Sequence, residues 1–251
     1  DVLIECMNNI HAEFKDSENY EIIVVGNPVF EIKTTLIKTQ IIPFQEEVFY
    51  PDFSRGSLLK AIKCFSLKPF FYKTGAICHK KNLAAKHAKY TKLCMMHDYV
   101  GIEPDWKKGF DTFGNRWDVS MTKVLNKDGV RHRDWMAWDH PSLINAEQPI
   151  SPCLIPYDRY TKYMYISGAY FCVTTSFFLD NPLDQNIFWG ACEDVEWSLR
   201  VRELTQFKMN KQSTVKYLKL KASNDAPNCK SWIENRKKME VILNTSEKST
   251  F

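Results

Sequence analysis

The chain of 251 residues is 44% hydrophobic and 25% charged, the proportions of a folded globular protein, which excludes wholesale disorder, collagen and a coiled coil. Thirty-four Lys and Arg against 30 Asp and Glu leave a net charge of +4, too small and too evenly spread for a footprint on duplex nucleic acid. The longest uncharged stretch, Tyr163 to Leu179, contains Ser167, Gly168, Thr174, Thr175 and Ser176, so it reads as buried sheet and not as a transmembrane segment. No basic-then-apolar leader opens the chain, although a start at Asp1 leaves room for a segment removed upstream. Eight cysteines without a Cys-x-x-Cys pair form neither a zinc knuckle nor a redox motif and point to a reducing, cytoplasmic compartment.

In chain order, Leu3, Met7, Ile10 and Phe14 at helical spacing predict a helix over 2–15. The β-branched run Glu21-Ile-Ile-Val-Val25, stopped by Gly26-Asn27-Pro28, predicts a buried strand and a turn. An extended segment near 40–44 and a helix near 57–65 follow. Residues 75–90 place Ile77, Leu83, Ala84 and Ala88 among lysines, a helix with a basic flank that runs into the strand Lys92-Leu-Cys-Met-Met96. Alternation at Val119, Met121 and Leu125 before Asn126-Lys-Asp-Gly129 reads as a strand entering a hairpin turn. Residues 130–156, rich in Trp, His, Pro and Asp, have no period and read as a functional loop region. The uncharged block from Tyr163 reads as a strand, Glu193 to Arg202 as a helix, 215–220 as a late strand and 231–243 as a final helix.

Three places could carry chemistry. Asp98, in His97-Asp98-Tyr99 at the carboxyl end of a strand, lies where open α/β sheets bind ligands and where a phosphate-bound divalent cation needs a carboxylate; it serves equally as a turn cap. Glu193 and Asp194 follow the turn at Trp189-Gly190, where one acid could accept a proton while its neighbour positions a hydroxyl; acids in a first helical turn are also favoured by the helix dipole alone. Trp135, Trp138 and Asp139 could grip a sugar, or could belong to a hydrophobic cluster under a long loop.

Taken together and in order, these segments resemble the nucleotide-sugar glycosyltransferases of the GT-A fold, especially glycosyltransferase family 2 and its relatives, over roughly residues 2–205. Glu21 to Val25, ending at Gly26 and Asn27, looks like the strand that ends at the nucleotide. Lys80-Lys81-Asn82-Leu83-Ala84 resembles the Ala-Arg-Asn-x-Gly helix. Leu93 to Val100 stands in the place of the Asp-x-Asp strand, and Glu103-Pro-Asp-Trp106 matches the Pro-x-Trp that follows it. Ser167-Gly168-Ala169 resembles the small-residue segment below the donor sugar, and Trp189 to Trp197 the Trp-Gly-x-x-Glu-Asp motif.

The resemblance implies a single α/β GT-A (Rossmann-like) domain over 1–251, with a mixed, mostly parallel sheet flanked by helices. Residues 1–100 would form the nucleotide-sugar half, 101–205 the acceptor and catalytic half, and 206–251 a closing strand and helix. It implies transfer of a sugar, a hexosyl or pentosyl group, from a nucleoside diphosphate to a hydroxyl acceptor such as a glycan, with inversion. Asp194 would be the base and Glu193 an acceptor ligand. Gly26, Asn27, Lys81, Asn82, His97, Asp98 and Gly168 would face the donor, and Trp135, Trp138, Asp139 and Trp189 the acceptor. A Mn2+ or Mg2+ ion would sit at Asp98 and His97.

The sequence departs from the family in three ways. The tripeptide keeps only its middle acid, no histidine follows His140, and the family's first strand should precede the first helix, so either a strand lies upstream of Asp1 or the start aligns differently. A catalytically inactive nucleotide-sugar or carbohydrate-binding module of the same fold is the alternative. A nucleotidyltransferase would need a Gly-rich triphosphate loop, which is absent near the first strand.

Overall fold

The computed structural model describes residues 2–27, 38–45, 49–51, 58–59, 62, 71–73, 76–137, 139, 153–185, 187, 192–221 and 247–248. The chain divides into two compact units, one of residues 1–20, 90–178 and 194–251, the other of residues 21–89 and 179–193.

In the larger unit, helix α1 (Val2–Glu13) buries Cys6 and Met7. It lies against strand β6 (Val100–Ile102). Gly101 makes that approach possible, because a Cβ there would come within 2.6 Å of Asn9 Nδ2 and 2.9 Å of Leu218 Cδ2. The central sheet has the order β5 (Lys92–Met96), β12 (Tyr170–Thr174), β7 (Val119–Leu125), β13 (Lys208–Tyr217), β6. Its buried side chains include Val119, Met121, Val124, Phe171, Val173, Met209 and Val215. Helix α3 (Trp106–Phe113) packs on β13. Helix α4 spans Thr175–Asp180 and helix α5 Glu193–Val201. Trp197 of α5 is fully buried, its ring 5.3 Å from Phe171 and 5.9 Å from Phe178. Short pairs complete the unit: β8 (Met136–Ala137) with β9 (Cys153–Leu154) and β11 (Met164–Tyr165), and β10 (Arg159–Tyr160) with β14 (Glu247–Lys248).

In the smaller unit, β1 (Ile22–Val25) pairs in parallel with β2 (Thr39–Ile42), β3 (Phe49–Pro51) pairs antiparallel with β4 (Phe71–Lys73), and α2 (Ala76–His87) packs on β1. Of the helix expected over 57–65, the described residues 58, 59 and 62 are helical; the final helix expected over 231–243 lies outside the described residues.

The sheet is mixed, as expected, but not mostly parallel. Among the described strands only β1–β2 and β7–β13 pair in parallel, and in the five-stranded sheet β12 runs against both its neighbours. Composition marks a strand as buried on both faces without disclosing its direction. The uncharged run 163–179 is likewise no single strand: Tyr170 N–H donates to Ser167 O in a turn that separates β11 from β12, and α4 begins at Thr175. Strand β13 starts at Lys208 instead of 215, because its polar first half is held by pairing to β7 and shows no apolar alternation of its own.

Candidate functional site

β5, β7 and β13 run in one direction, and the hydrogen-bonded ladders bring their carboxyl ends to the same end of the larger unit's sheet. Three motifs far apart in sequence meet there. His97 N–H donates to Ala169 O at 3.0 Å, which sets the His97-Asp98-Tyr99 turn beside Ser167-Gly168-Ala169. Gly168 N–H donates to Asp194 Oδ2 at 2.8 Å, which ties that turn to the start of α5. The other carboxylate oxygen of Asp194 accepts from Val195 N–H at 2.9 Å. Ser198 Oγ reinforces the joint, donating to Asp194 O at 2.6 Å and accepting from Ile166 N–H at 3.0 Å.

Around the tripeptide, His97 Nδ1 is 2.8 Å from Tyr99 Oη, and the Tyr99 ring packs T-shaped against His97 and Tyr217 at centroid distances of 5.2 and 5.5 Å. Tyr99 is buried while Asp98 is exposed. Burial, then the Asp98 charge, pushes the Tyr99 phenol up to about 12, and the same two causes push the Cys6 thiol up to about 12.

Two lysines from the chain just after β13 approach the same ring. Lys219 Nζ stands 4.0 Å and Lys221 Nζ 4.3 Å from the Tyr99 centroid. Lys221 is held through its backbone by Asn126, which follows β7: the Asn126 amide donates to Lys221 O at 2.8 Å and accepts its N–H at 2.9 Å. Burial first, then Lys219 and Arg133, push the Lys221 ammonium below its usual range, partly offset by Asp98. Sequence reading passed over these lysines because a Lys-x-Lys at a strand end is most often a solvated edge.

A divalent cation requires several hard ligands converging at bonding distance. Among the described residues no group of three His, Cys, Asp or Glu side chains forms such a set. Asp98 is the one acid of its turn and lies within electrostatic reach of the Lys221 ammonium, whose charge repels a metal ion. Among the described residues, His97 and Asp98 by themselves do not make up the ligand set that a Mn2+ or Mg2+ ion takes.

The remaining expected residues are dispersed. Trp135 is fully buried, its Nε1–H donating to Arg159 O at 2.6 Å, so its ring packs the core and offers no face to a sugar. Asp139 is gripped by both guanidinium NH2 groups of Arg202 at 2.5 and 2.7 Å. Trp138 and Trp189 lie outside the described residues. In the smaller unit, Gly26 takes a φ of 154° and donates to Ile42 O, and Asn27 clamps both backbone groups of Phe44. Asn82 is buried and clamps Leu183 in the same two-bond manner, Lys81 is buried on α2, and the Glu193 charge helps burial push the Cys78 thiol up. A cleft of ≈ 410 Å³ in the larger unit, lined by Trp117, Asp118, Thr174, Thr205 and Lys208 among others, opens at the opposite end of the sheet from His97 and Asp194. Intramolecular bonds of Lys92 to Trp117 O and of Thr205 to Asp118 occupy its polar wall.

No protein-family model and no curated protein sequence matches the chain. Among solved structures, the crystal structure of GalNAc-T7 with UDP, GalNAc and Mn2+ is similar at 14% identity and a TM-score of 0.47, over 90% of this chain and 49% of that one. The crystal structure of HddC from Yersinia pseudotuberculosis is similar at 12% identity and a TM-score of 0.40, over 84% of this chain and 79% of that one. The chain spans about half the length of the first. Likeness at this level defines neither the family of the chain nor its activity. No described helix is long and apolar enough to cross a membrane.

Proposed function

We propose that the chain is a glycosyltransferase of GT-A type that moves a sugar, hexosyl or pentosyl, from a nucleoside diphosphate to a hydroxyl acceptor on a glycan or glycoconjugate, with inversion. The observation that supports it most is the convergence of His97-Asp98-Tyr99, Ser167-Gly168-Ala169 and Asp194 at one end of one sheet, through the bonds His97 N–H to Ala169 O and Gly168 N–H to Asp194 Oδ2. Those belong to three of the six segments whose order carries the family resemblance, and strand ends of this kind are where α/β sheets hold ligands.

In this reading Asp194 takes the proton of the acceptor hydroxyl as its oxygen attacks the anomeric carbon. The new C–O bond forms on the face opposite the diphosphate, and the bond to the departing phosphate oxygen breaks with its electron pair going to the nucleotide. Each Asp194 oxygen that accepts a backbone N–H retains a lone pair for this work, and the two bonds hold the carboxylate in one orientation. Glu193 as acceptor ligand, Gly26, Asn27, Lys81 and Asn82 as donor contacts, and Trp138, Asp139 and Trp189 as acceptor contacts rest on the resemblance alone.

A binding module without catalysis is the second reading. It is favoured by the engagement of both Asp194 oxygens with backbone, which suits a pin between α5 and the Gly168 turn.

Asp194→Asn separates the two. Asn offers one acceptor oxygen, so either Gly168 or Val195 N–H loses its partner at a cost of about 1–3 kcal/mol, seen as a modest drop in melting temperature. As a base it is lost entirely, so kcat for transfer from nucleoside-diphosphate sugars falls about 10²-fold or more while donor KM holds. Wild-type protein that binds such donors yet neither transfers nor hydrolyses any of them is the binding module.

A further inference from the structure

We propose that Lys219 and Lys221, with Arg133 beside them, hold the diphosphate-class anion of the ligand directly, so that side-chain cations meet the charge that a divalent ion meets elsewhere. The inference rests on the reading of the chain as a user of nucleoside diphosphates.

The cations converge on one turn from separate elements. Lys219 and Lys221 follow β13 and lie 4.0 and 4.3 Å from the Tyr99 ring, and Arg133, on the loop after the β7 hairpin, is within electrostatic reach of Lys221. Among the described residues, the carboxylate that acts on Lys221 is the exposed Asp98. Gathering like charges costs energy, and neither lysine forms an ion pair with a described residue that would offset it. An anion at this spot offsets the repulsion and takes charge-assisted bonds from ammonium groups already gathered there. The position is built: Asn126 fixes the Lys221 backbone from both sides, and Tyr99 offers its ring to both lysines while packing T-shaped against Tyr217. The site lies on the same strand-end turn that touches Ala169, next to the Gly168 turn that the resemblance sets below the donor sugar.

The test is titration calorimetry of inorganic pyrophosphate into the full chain, in EDTA and then in Mn2+, with the wild type, Lys219→Gln/Lys221→Gln and Asp98→Asn, each checked for a wild-type melting curve. Both lysines reach the surface, so the double variant keeps its core. The expected result is binding in EDTA that Mn2+ does not improve, a loss of about tenfold or more in the double variant, and unchanged or tighter binding in Asp98→Asn, which removes a charge that repels the anion. Absence of pyrophosphate binding in EDTA, loss of binding in Asp98→Asn, or an unaltered double variant overturns the inference. Turnover of nucleotide sugars that needs Mn2+ and ignores the lysine changes also overturns it while leaving the glycosyltransferase reading intact. Pyrophosphate binding that follows the expected pattern with no turnover of any nucleotide sugar supports the anion site and sinks the transferase reading instead.

Discussion

Asp134 is a fully buried carboxylate with four partners, and it organises the loop after the β7 hairpin. Oδ1 takes Arg131 Nε at 2.7 Å and Trp135 N–H at 2.6 Å; Oδ2 takes Tyr157 Oη at 2.6 Å and Val124 N–H at 3.2 Å. Arg131 in turn donates to Ile155 O at 2.7 Å and lies 4.0 Å over the Tyr157 ring. Such a network is stable only when every member is satisfied. Asp134→Ala leaves a half-buried guanidinium and two buried N–H groups without their acceptor, and the expected cost is about 3–5 kcal/mol, read from urea unfolding. A cost below about 1 kcal/mol would mean that water or a neighbouring carbonyl replaces the carboxylate. In sequence Asp134 falls in the stretch 130–156 read as a functional loop region, because sequence cannot tell an acid facing water from one already saturated by its own chain. Asp139 is the same case, with Arg202 supplied from beyond the end of α5.

Helix α3 and strand β13 touch through Gly109. A Cβ there would meet Ser213 Oγ in a clash and lie 2.8 Å from the Gln212 carbonyl carbon and 2.9 Å from Ser213 N. The strand cannot give way, because β13 bulges at this place: its register shifts between Asn210 and Thr214, with Asn210 Oδ1 taking Gln212 N–H at 3.0 Å and Ser213 Oγ donating to Trp106 O at 2.7 Å. Gly109→Ala, ordinarily stabilising in a helix, is expected to destabilise here by about 1–3 kcal/mol in thermal or denaturant unfolding. A stabilised variant would show that α3 can lift from the strand. Elements that bury a regular pattern were legible: the expected bounds of β5 and β7 match those observed, and α1, β1 and α2 differ by a few residues at their ends. Elements made by tertiary pairing were not. The polar first half of β13 has no period of its own, and the division of 163–179 depends on a turn whose Gly168 is tied to Asp194 in another element.

Across the whole molecule, buried phenols and thiols link stability to alkaline pH. Burial first, with the nearby negative charge of Asp98, raises Tyr99 from 10.0 to about 12, and burial also leads the upward shifts of Tyr157 and Tyr217. Cys6 and Cys78 rise from 9.0 to about 12 for the same leading reason. Each group binds its proton more tightly in the folded chain, so its contribution is fully present below the unfolded value and is lost as pH climbs through the folded one. Melting temperature is therefore expected to hold below about pH 9 and fall steeply toward pH 12, with tyrosinate absorbance rising together with unfolding. Phenols that ionise smoothly from about pH 10 while the fold persists would contradict the burial of these rings.

The sequence by itself determined the α/β class, the position of the long regular elements and the order of three small motifs, since apolar periodicity and Gly turns act locally and survive without tertiary context. Only the tertiary structure decided the directions of the strands, the division into two units, and which charged residues are free to meet a ligand. Those outcomes depend on partners distant in the chain. The turn of Asp98 and Tyr99 acquires its meaning from Lys219 and Lys221 over the Tyr99 ring, Asp134 loses its apparent availability to Arg131 and Tyr157, and Trp135 vanishes into the core beneath Arg159. A side chain's chemistry is written in its letter, but its surroundings come from long-range packing, and it is the surroundings that set whether a charge is spent or available.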